Sequence, residues 1–383
     1  MRRALRAVDM AAAISIAIAA AGCGGGTTTR VALAHRALPP ANPRAVRAFV
    51  DGARLMARRD EASQRAAVNR LREAVQIDPN LWEAHYDLGV LYRRRGELRE
   101  AIRELETARR IQPGARDPLI ALAEAKFARG EREDASDLLA AYVEQHPGAV
   151  DVRVALTIIL RMRGQYGPAL GHAREALVRD PRNPIALAEC GRIYRARGQH
   201  DVAELVFRKA LELEPNNAAL HNDLGLVALA RGDTQAAFVE FARATELDAR
   251  FTPARLNKGS VLLHAGDFAS AAAEYEAVLQ IDPEHLDARV ALGIALRGQG
   301  QPRQALSQYE RVLAASPNHA AALFNLAVLR AEFLNQRPQS RELFQRYLEV
   351  APEGDSHRAL AERYLRDIAE SGGGGARRRG AGR

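Results

Sequence analysis

The chain has 383 residues, a formal net charge of +8 and only 5% aromatic residues, while Ala makes up about one residue in five. That balance suits closely packed helices and argues against a sheet-based fold. The charge does not argue for nucleic acid: residues 1–22 carry +2, the tail from Ser371 carries +4, and with Arg30 and Arg36 set aside the body from 44 to 370 is neutral, so no long-range positive field covers it.

At the N-terminus a basic start, Met1 to Arg6, precedes an apolar run from Met10 to Ala21 and then small residues leading into Cys23. This is the pattern of a secretory signal, and the run is too short to span a bilayer. Ala20-Ala21-Gly22-Cys23 resembles the lipobox of bacterial lipoproteins, with Ala20 where that family usually has Leu. The resemblance implies a signal peptide over 1–22, lipidation of Cys23 as the mature N-terminus, and sorting to the outer membrane facing the periplasm, since Gly24 and not Asp follows the Cys. Ordinary secretion to the periplasm, with cleavage near an Ala-x-Ala site, is the alternative. Residues 23–43, with Gly24 to Gly26, Thr27 to Thr29, Pro39, Pro40 and Pro43, hold too little apolar content to fold and read as a flexible tether. Cys190 is the one other cysteine, so no disulfide framework exists, and its register makes it a small buried hydrophobe.

From residue 44 the sequence repeats. Pro79, Pro113, Pro147, Pro181 and Pro215 recur every 34 residues, Ala249 interrupts, and Pro283 and Pro317 resume. Gly96 to Gly300 and Ala67 to Ala305 keep the same step. Residues 82–115 show the unit most completely, as Leu88-Gly89, Tyr92, Gly96, Ala101, Leu105, Ala108 and Pro113. This motif resembles the tetratricopeptide repeat, whose period is 34. The resemblance implies an all-α, right-handed superhelical solenoid of about nine helical hairpins.

Physical reasons accompany each position. Gly89, Ala123, Thr157, Gly191, Gly225, Gly259, Gly293 and Ala327 are all small and let two helices approach. Tyr92, Tyr194, Leu105, Leu139, Phe207, Phe241, Tyr275 and Tyr309 fill the space between helices. The mid-unit Gly ends the first helix in a left-handed conformation, and the Pro ends the second because the residue before it resists helical geometry. The first unit, 44–81, lacks the Leu-Gly pair in register. In the ninth, 320–353, an extra residue puts Pro352 35 and not 34 positions after Pro317, and Arg337-Pro338 replaces the usual turn Gly. Residues 355–370 read as a capping helix with Leu360, Ala361, Tyr364, Leu365 and Ile368 on one stripe and Arg358, Glu362, Arg363, Arg366 and Glu370 opposite. The array with its cap thus spans 44–370, and 371–383 reads as a disordered Gly/Arg tail.

No chemistry emerges. The ten histidines are dispersed, there is no Cys-x-x-Cys or P-loop, and the array leaves no room for a catalytic domain. The expectation is therefore a non-enzymatic scaffold with no cofactor, no metal, no small-molecule substrate and no nucleic acid. The tetratricopeptide resemblance puts partner binding on the concave face, lined by the first helices. Carried over by register, that lining is Tyr86, Val90 and Arg93; Ile120, Glu124 and Phe127; Val154, Ile158, Arg161 and Met162; Arg192 and Arg195; Asn222, Leu226 and Leu229; Leu256, Asn257 and Leu263; Val290, Ile294 and Arg297; and Phe324, Asn325 and Val328. A mostly apolar lining with a few arginines suits an amphipathic helix or an extended peptide with some acidic residues. Resemblance to tetratricopeptide lipoproteins of gliding motility, pilus assembly and peptidoglycan scaffolding implies a place in a multiprotein envelope machine. The alternative is recruitment or regulation of a separate cell-wall enzyme.

Overall fold

The computed structural model describes residues 40–58 and 60–377. The signal segment, Cys23, most of the tether and the last six residues of the tail lie outside them. The described residues form nineteen α-helices and one π-helical turn, with no strand. In chain order they are α1 Pro43–Met56, α2 Glu61–Ile77, α3 Trp82–Arg94, α4 Leu98–Ile111, α5 Arg116–Arg129, α6 Arg132–Gln145, α7 Val150–Met162, α8 Tyr166–Arg179, α9 Pro184–Ala196 and α10 His200–Leu213. There follow α11 Ala218–Ala230, α12 Thr234–Leu247, α13 Thr252–His264, α14 Phe268–Ile281, α15 Leu286–Gly298, α16 Pro302–Ala315, α17 Ala320–Val328, the π turn Leu329–Phe333, α18 Arg337–Val350 and α19 Arg358–Arg377. Odd and even helices pair into nine hairpins, and α19 caps the last. This is the expected all-α repeat solenoid.

The turns obey the reasoning from sequence. Seven glycines, from Gly96 to Gly300 at the 34-residue step, have φ between +73° and +97°, a region an L side chain enters only at a cost. Each second helix ends on a residue in extended geometry just before the recurring proline, as at Gln112 (φ −127°, ψ 79°) and Glu214 (φ −131°, ψ 73°). Asp248, which precedes Ala249 and not a proline, adopts the same φ −137°, ψ 98°. Proline is thus not required to set this corner; packing of the next hairpin holds it where Pro is missing.

Inside each hairpin a small residue on the first helix faces a large one sixteen residues later. A Cβ on Gly225 would stand 2.5 Å from the Phe241 ring, one on Gly191 2.5 Å from Phe207, one on Gly293 2.4 Å from Tyr309 and one on Gly89 2.4 Å from Leu105. Each is too close for real atoms, so the helices could not approach this way with any side chain there. Where the first helix carries Thr157 the facing residue shrinks to Ala173, both fully buried. Summed volume across the pair is what the fold conserves.

The chain divides into two compact units, residues 1–189 and 190–383. The described part of the first unit opens with α1 and α2, packed through Ala45, Ala48, Phe49, Ala67 and Leu71. Its small residue is Gly52, where a Cβ would meet Leu71 at 2.7 Å. The close-approach glycine missing from register is therefore present three residues early, and a longer turn makes up the difference. Cys190, at the start of the second unit, is 3% exposed, as its register implied.

The second unit ends in a core of Phe324, Leu343, Phe344, Tyr347 and Ala361. The extra residue of the ninth hairpin is absorbed in a π turn, where Leu334 N–H donates to the Leu329 carbonyl five residues back. Gln336 N–H reaches six residues to Arg330, where the regular unit spans five, from Glu97 to Tyr92. Asn335 takes the left-handed place of the turn Gly at φ 52°, so the corner lies two residues before Arg337, and Arg337-Pro338, expected in that place, begins α18 instead.

Two sequence expectations for the cap need correction. Arg358 is half-buried and not on the solvent side: its guanidinium donates to the carbonyls of Leu348 and Ala351 at 2.9 and 2.8 Å, closing the end of α18. Leu360 is 37% exposed, while Ala361, Tyr364, Leu365 and Ile368 pack inward. The helix also continues to Arg377, past Ser371 where the disordered tail was placed. Extending an existing helix adds a hydrogen bond per residue without a new nucleus, so the docked segment can carry the next turns.

Candidate binding face

Adjacent first helices within each unit lie side by side, and the expected lining sits on them in three distinct environments. Val90, Val154, Val290 and Phe324 are only 5–8% exposed. These four are core and not lining; Phe324, for one, is enclosed by the rings of Phe344, Tyr347 and His357, with centroids 6.1, 5.2 and 4.6 Å away. Register fixes which way a side chain leaves its helix, but not how far the neighbouring hairpin reaches over it.

The half-buried apolar residues form the available surface. In the first unit they are Tyr86, Ile120, Phe127 and Ile158, with Met162 54% exposed. In the second they are Leu226, Leu229, Leu256, Leu263, Ile294 and Val328. Arg132 stands over the Phe127 ring at 5.7 Å.

Polar residues of the face are largely matched to one another across hairpins. Arg93 on α3 pairs with Glu124 on α5 at 3.0 Å, Arg161 on α7 with Glu189 on α9 at 2.5 Å, and Arg192 on α9 with Asp223 on α11 at 2.8 Å. Glu189 and Asp223 are buried, and each arginine supplies the opposite charge that offsets the cost of taking its carboxylate out of water. Asn257 on α13 donates to the Asn222 side chain on α11 at 2.8 Å, and Asn222 is 7% exposed. Three of the five expected lining arginines are thereby internally neutralised. Arg195 and Arg297 are the exceptions.

Family models described as tetratricopeptide repeat match residues 60–116, 93–156 and 296–363 with one model and 252–318 with another, and a third, described as TPR repeat, matches 191–232. The chain is a tetratricopeptide repeat protein. Among solved structures, a crystal structure of the APC/C hetero-tetramer Cut9-Hcn1 aligns with TM-score 0.57 at 16% identity, over 84% of this chain and 62% of the other. This chain thus spans less than two thirds of that relative, and the likeness is one of fold. Others include Pseudomonas aeruginosa pilF, at TM-score 0.48 and 20% identity over 57% of this chain and 97% of the other. YrrB, titled a TPR protein with an unusual peptide-binding site, aligns at 0.39 and 25% over 49% and 96%. A sequence search of curated proteins finds no match.

In these tetratricopeptide repeats one recurring device escaped the sequence reading. The residue four before each small position, at 85, 119, 153, 187, 221, 255, 289 and 323, is His, Leu, Arg, Leu, His, Arg, Arg and Leu. Where it is polar it fastens two pieces of backbone. His85 Nε2 lies 3.1 Å from the Pro79 carbonyl and Nδ1 2.6 Å from Glu104 on α4. His221 bridges Pro215 and Glu240 at 3.4 and 2.7 Å. Arg255 donates to the Ala249 carbonyl and to Glu274, both at 2.7 Å, Arg289 to Pro283 and Gln308, and Arg153 to Pro147 and Glu175. Each clamp ties the inter-hairpin corner to the second helix of its own hairpin. Where the residue is Leu119 or Leu187, the position nineteen later is Leu138 or Val206. The paired signal was in the sequence, at offsets of 34 and 19 together, in four of these five hairpins; Arg153 reaches Glu175, 22 residues on.

Beside α7, burial and then the Arg153 guanidinium hold His172 below its ordinary range, against a smaller opposing pull from Glu175. Burial likewise pushes the Tyr275 hydroxyl up to about 12 and the Tyr309 hydroxyl higher still, as befits packing residues. Among the described residues no cluster of three or more His, Cys, Asp or Glu could hold a metal ion, and no helix is long and apolar enough to cross a membrane.

Proposed function

We propose that this protein is a non-enzymatic scaffold of the bacterial envelope, held to the outer membrane by lipid on Cys23, that gathers a multiprotein machine of motility, pilus or secretion by holding a partner polypeptide on its first-helix face. The observation that carries the binding reading is the series of half-buried apolar side chains on successive first helices, Ile120, Phe127 and Ile158 in one unit and Leu226, Leu229 and Leu263 in the other. Left uncovered on these hairpins, they are a surface that gains by burial against an apolar partner segment. The anchor rests on the signal pattern and Cys23.

The two halves of the reading are tested separately. Native protein and Cys23→Ala are compared by membrane fractionation, with intact mass of the mature N-terminus. Lipidated, membrane-bound native protein and a soluble variant support the anchor; two soluble, unmodified forms sink it. A photo-crosslinking residue is then placed at Met162 on the first-helix face or at Val178, 82% exposed on a second helix. A discrete adduct from position 162 and none from 178 supports the face; the reverse assigns the partner to the second helices.

A further inference from the structure

Resting on the first-helix face as the binding surface, we infer that the second unit takes an apolar peptide segment flanked at both ends by carboxylates. Arg195, Leu229, Leu263 and Arg297 are 34 residues apart, so they occupy one register position on α9, α11, α13 and α15. Three residues earlier in register, Leu226 and Ile294 widen the apolar strip between the two arginines. A stripe of half-buried leucines thus has one guanidinium at each end.

What distinguishes these two cations is that the molecule does not neutralise them. Arg192, one turn from Arg195 on the same helix, is matched to buried Asp223. Arg195 has no carboxylate partner among the described residues, and its Nε is buried without a hydrogen-bond partner. Arg297 lies over the Phe333 ring at 5.7 Å with no carboxylate partner among the described residues. Half-buried guanidinium groups next to apolar surface are weakly hydrated and present a planar fork to a carboxylate, so each attracts one strongly once a segment covers the leucines and lowers the local dielectric. A lysine-flanked segment would bring like charges together at both ends, which selects against it.

The test uses the full chain and three synthetic peptides with the same Leu/Ile core, flanked at both ends by Glu, Gln or Lys, followed by fluorescence anisotropy over a salt series. The Glu-flanked peptide is expected to bind about tenfold tighter than the Gln-flanked one at low salt, with the gap closing as salt rises. Arg195→Gln and Arg297→Gln should each remove part of that gap, and together all of it. Arg243→Gln, on a second-helix surface, should leave it unchanged. Peptides with Glu at one end only should respond to one arginine variant and not the other. Leu229→Asp, or Leu229→Ser if helix content shows the first variant to be unfolded, should abolish binding of every peptide. Equal binding of the Glu- and Gln-flanked peptides, both lost on the Leu229 change, would overturn the arginine bracket while leaving the face intact. Binding indifferent to Leu229, or no binding of any peptide, would overturn the face in this unit together with the bracket.

Discussion

At the scale of single residues, the sharpest constraint is steric. The Phe241 ring occupies the place a Cβ on Gly225 would need, and an overfilled core costs roughly 1–3 kcal/mol. Gly225→Ala is therefore expected to destabilise the second unit by about 2 kcal/mol in denaturant unfolding, and the added change Phe241→Leu to recover part of that loss. Asn335 is a milder case, since Asn tolerates the left-handed region better than other L residues. Asn335→Ala should cost about 1 kcal/mol and Asn335→Gly should be neutral or slightly stabilising, as read from the unfolding midpoint. His172 supplies the pH dependence. Its proton is bound less readily in the fold than in the unfolded chain, so stability is fully present above the unfolded value near 6.5 and falls as pH drops through it. The loss of melting temperature on acidification from about pH 7 to about pH 5.5 should be smaller in His172→Gln, and an equal loss would show that other groups carry the acid response.

Between residues and the whole lies the hairpin, and its distinctive part is the clamp. His85 and Glu104 are both shielded, so removing one strands the other, at roughly 1–3 kcal/mol. Replacing both by Leu copies the apolar solution the chain already uses at Leu119 and Leu138. The double variant His85→Leu, Glu104→Leu should therefore lie near wild type while each single variant is destabilised, a coupling that a double-mutant cycle reads directly. The corner beside the clamp gives a second test. Asp248 is already extended, the geometry a following proline demands, so Ala249→Pro is expected to raise stability by about 0.5–1 kcal/mol by restricting the unfolded chain. A lower melting temperature would mean that the Ala249 φ does not suit a proline ring.

For the molecule as a whole, each hairpin buries its faces against its neighbours, and the last needs a cover. The Tyr364 ring of α19 stacks on Phe344 with centroids 4.9 Å apart and planes 10° from parallel. A chain ended after Pro352 would bare Phe344 and the surface around it, so it should aggregate or lose its last hairpin, seen as earlier unfolding of the C-terminal end in hydrogen exchange. The 34-residue step by itself determined the hairpins, their number, the turn glycines and the small-on-large packing, and the apolar stripe after Pro352 the presence of a cap, because each follows from backbone geometry or from volume at a fixed local offset. It also determined which residues share the first-helix face. Tertiary structure alone decided what that face offers. Val90 and Phe324 are covered by neighbouring side chains, Arg93, Arg161 and Arg192 are matched to carboxylates one hairpin away, and Arg195 and Arg297 are not. Periodicity is a property of one chain segment, whereas burial and charge matching depend on how closely the next hairpin docks.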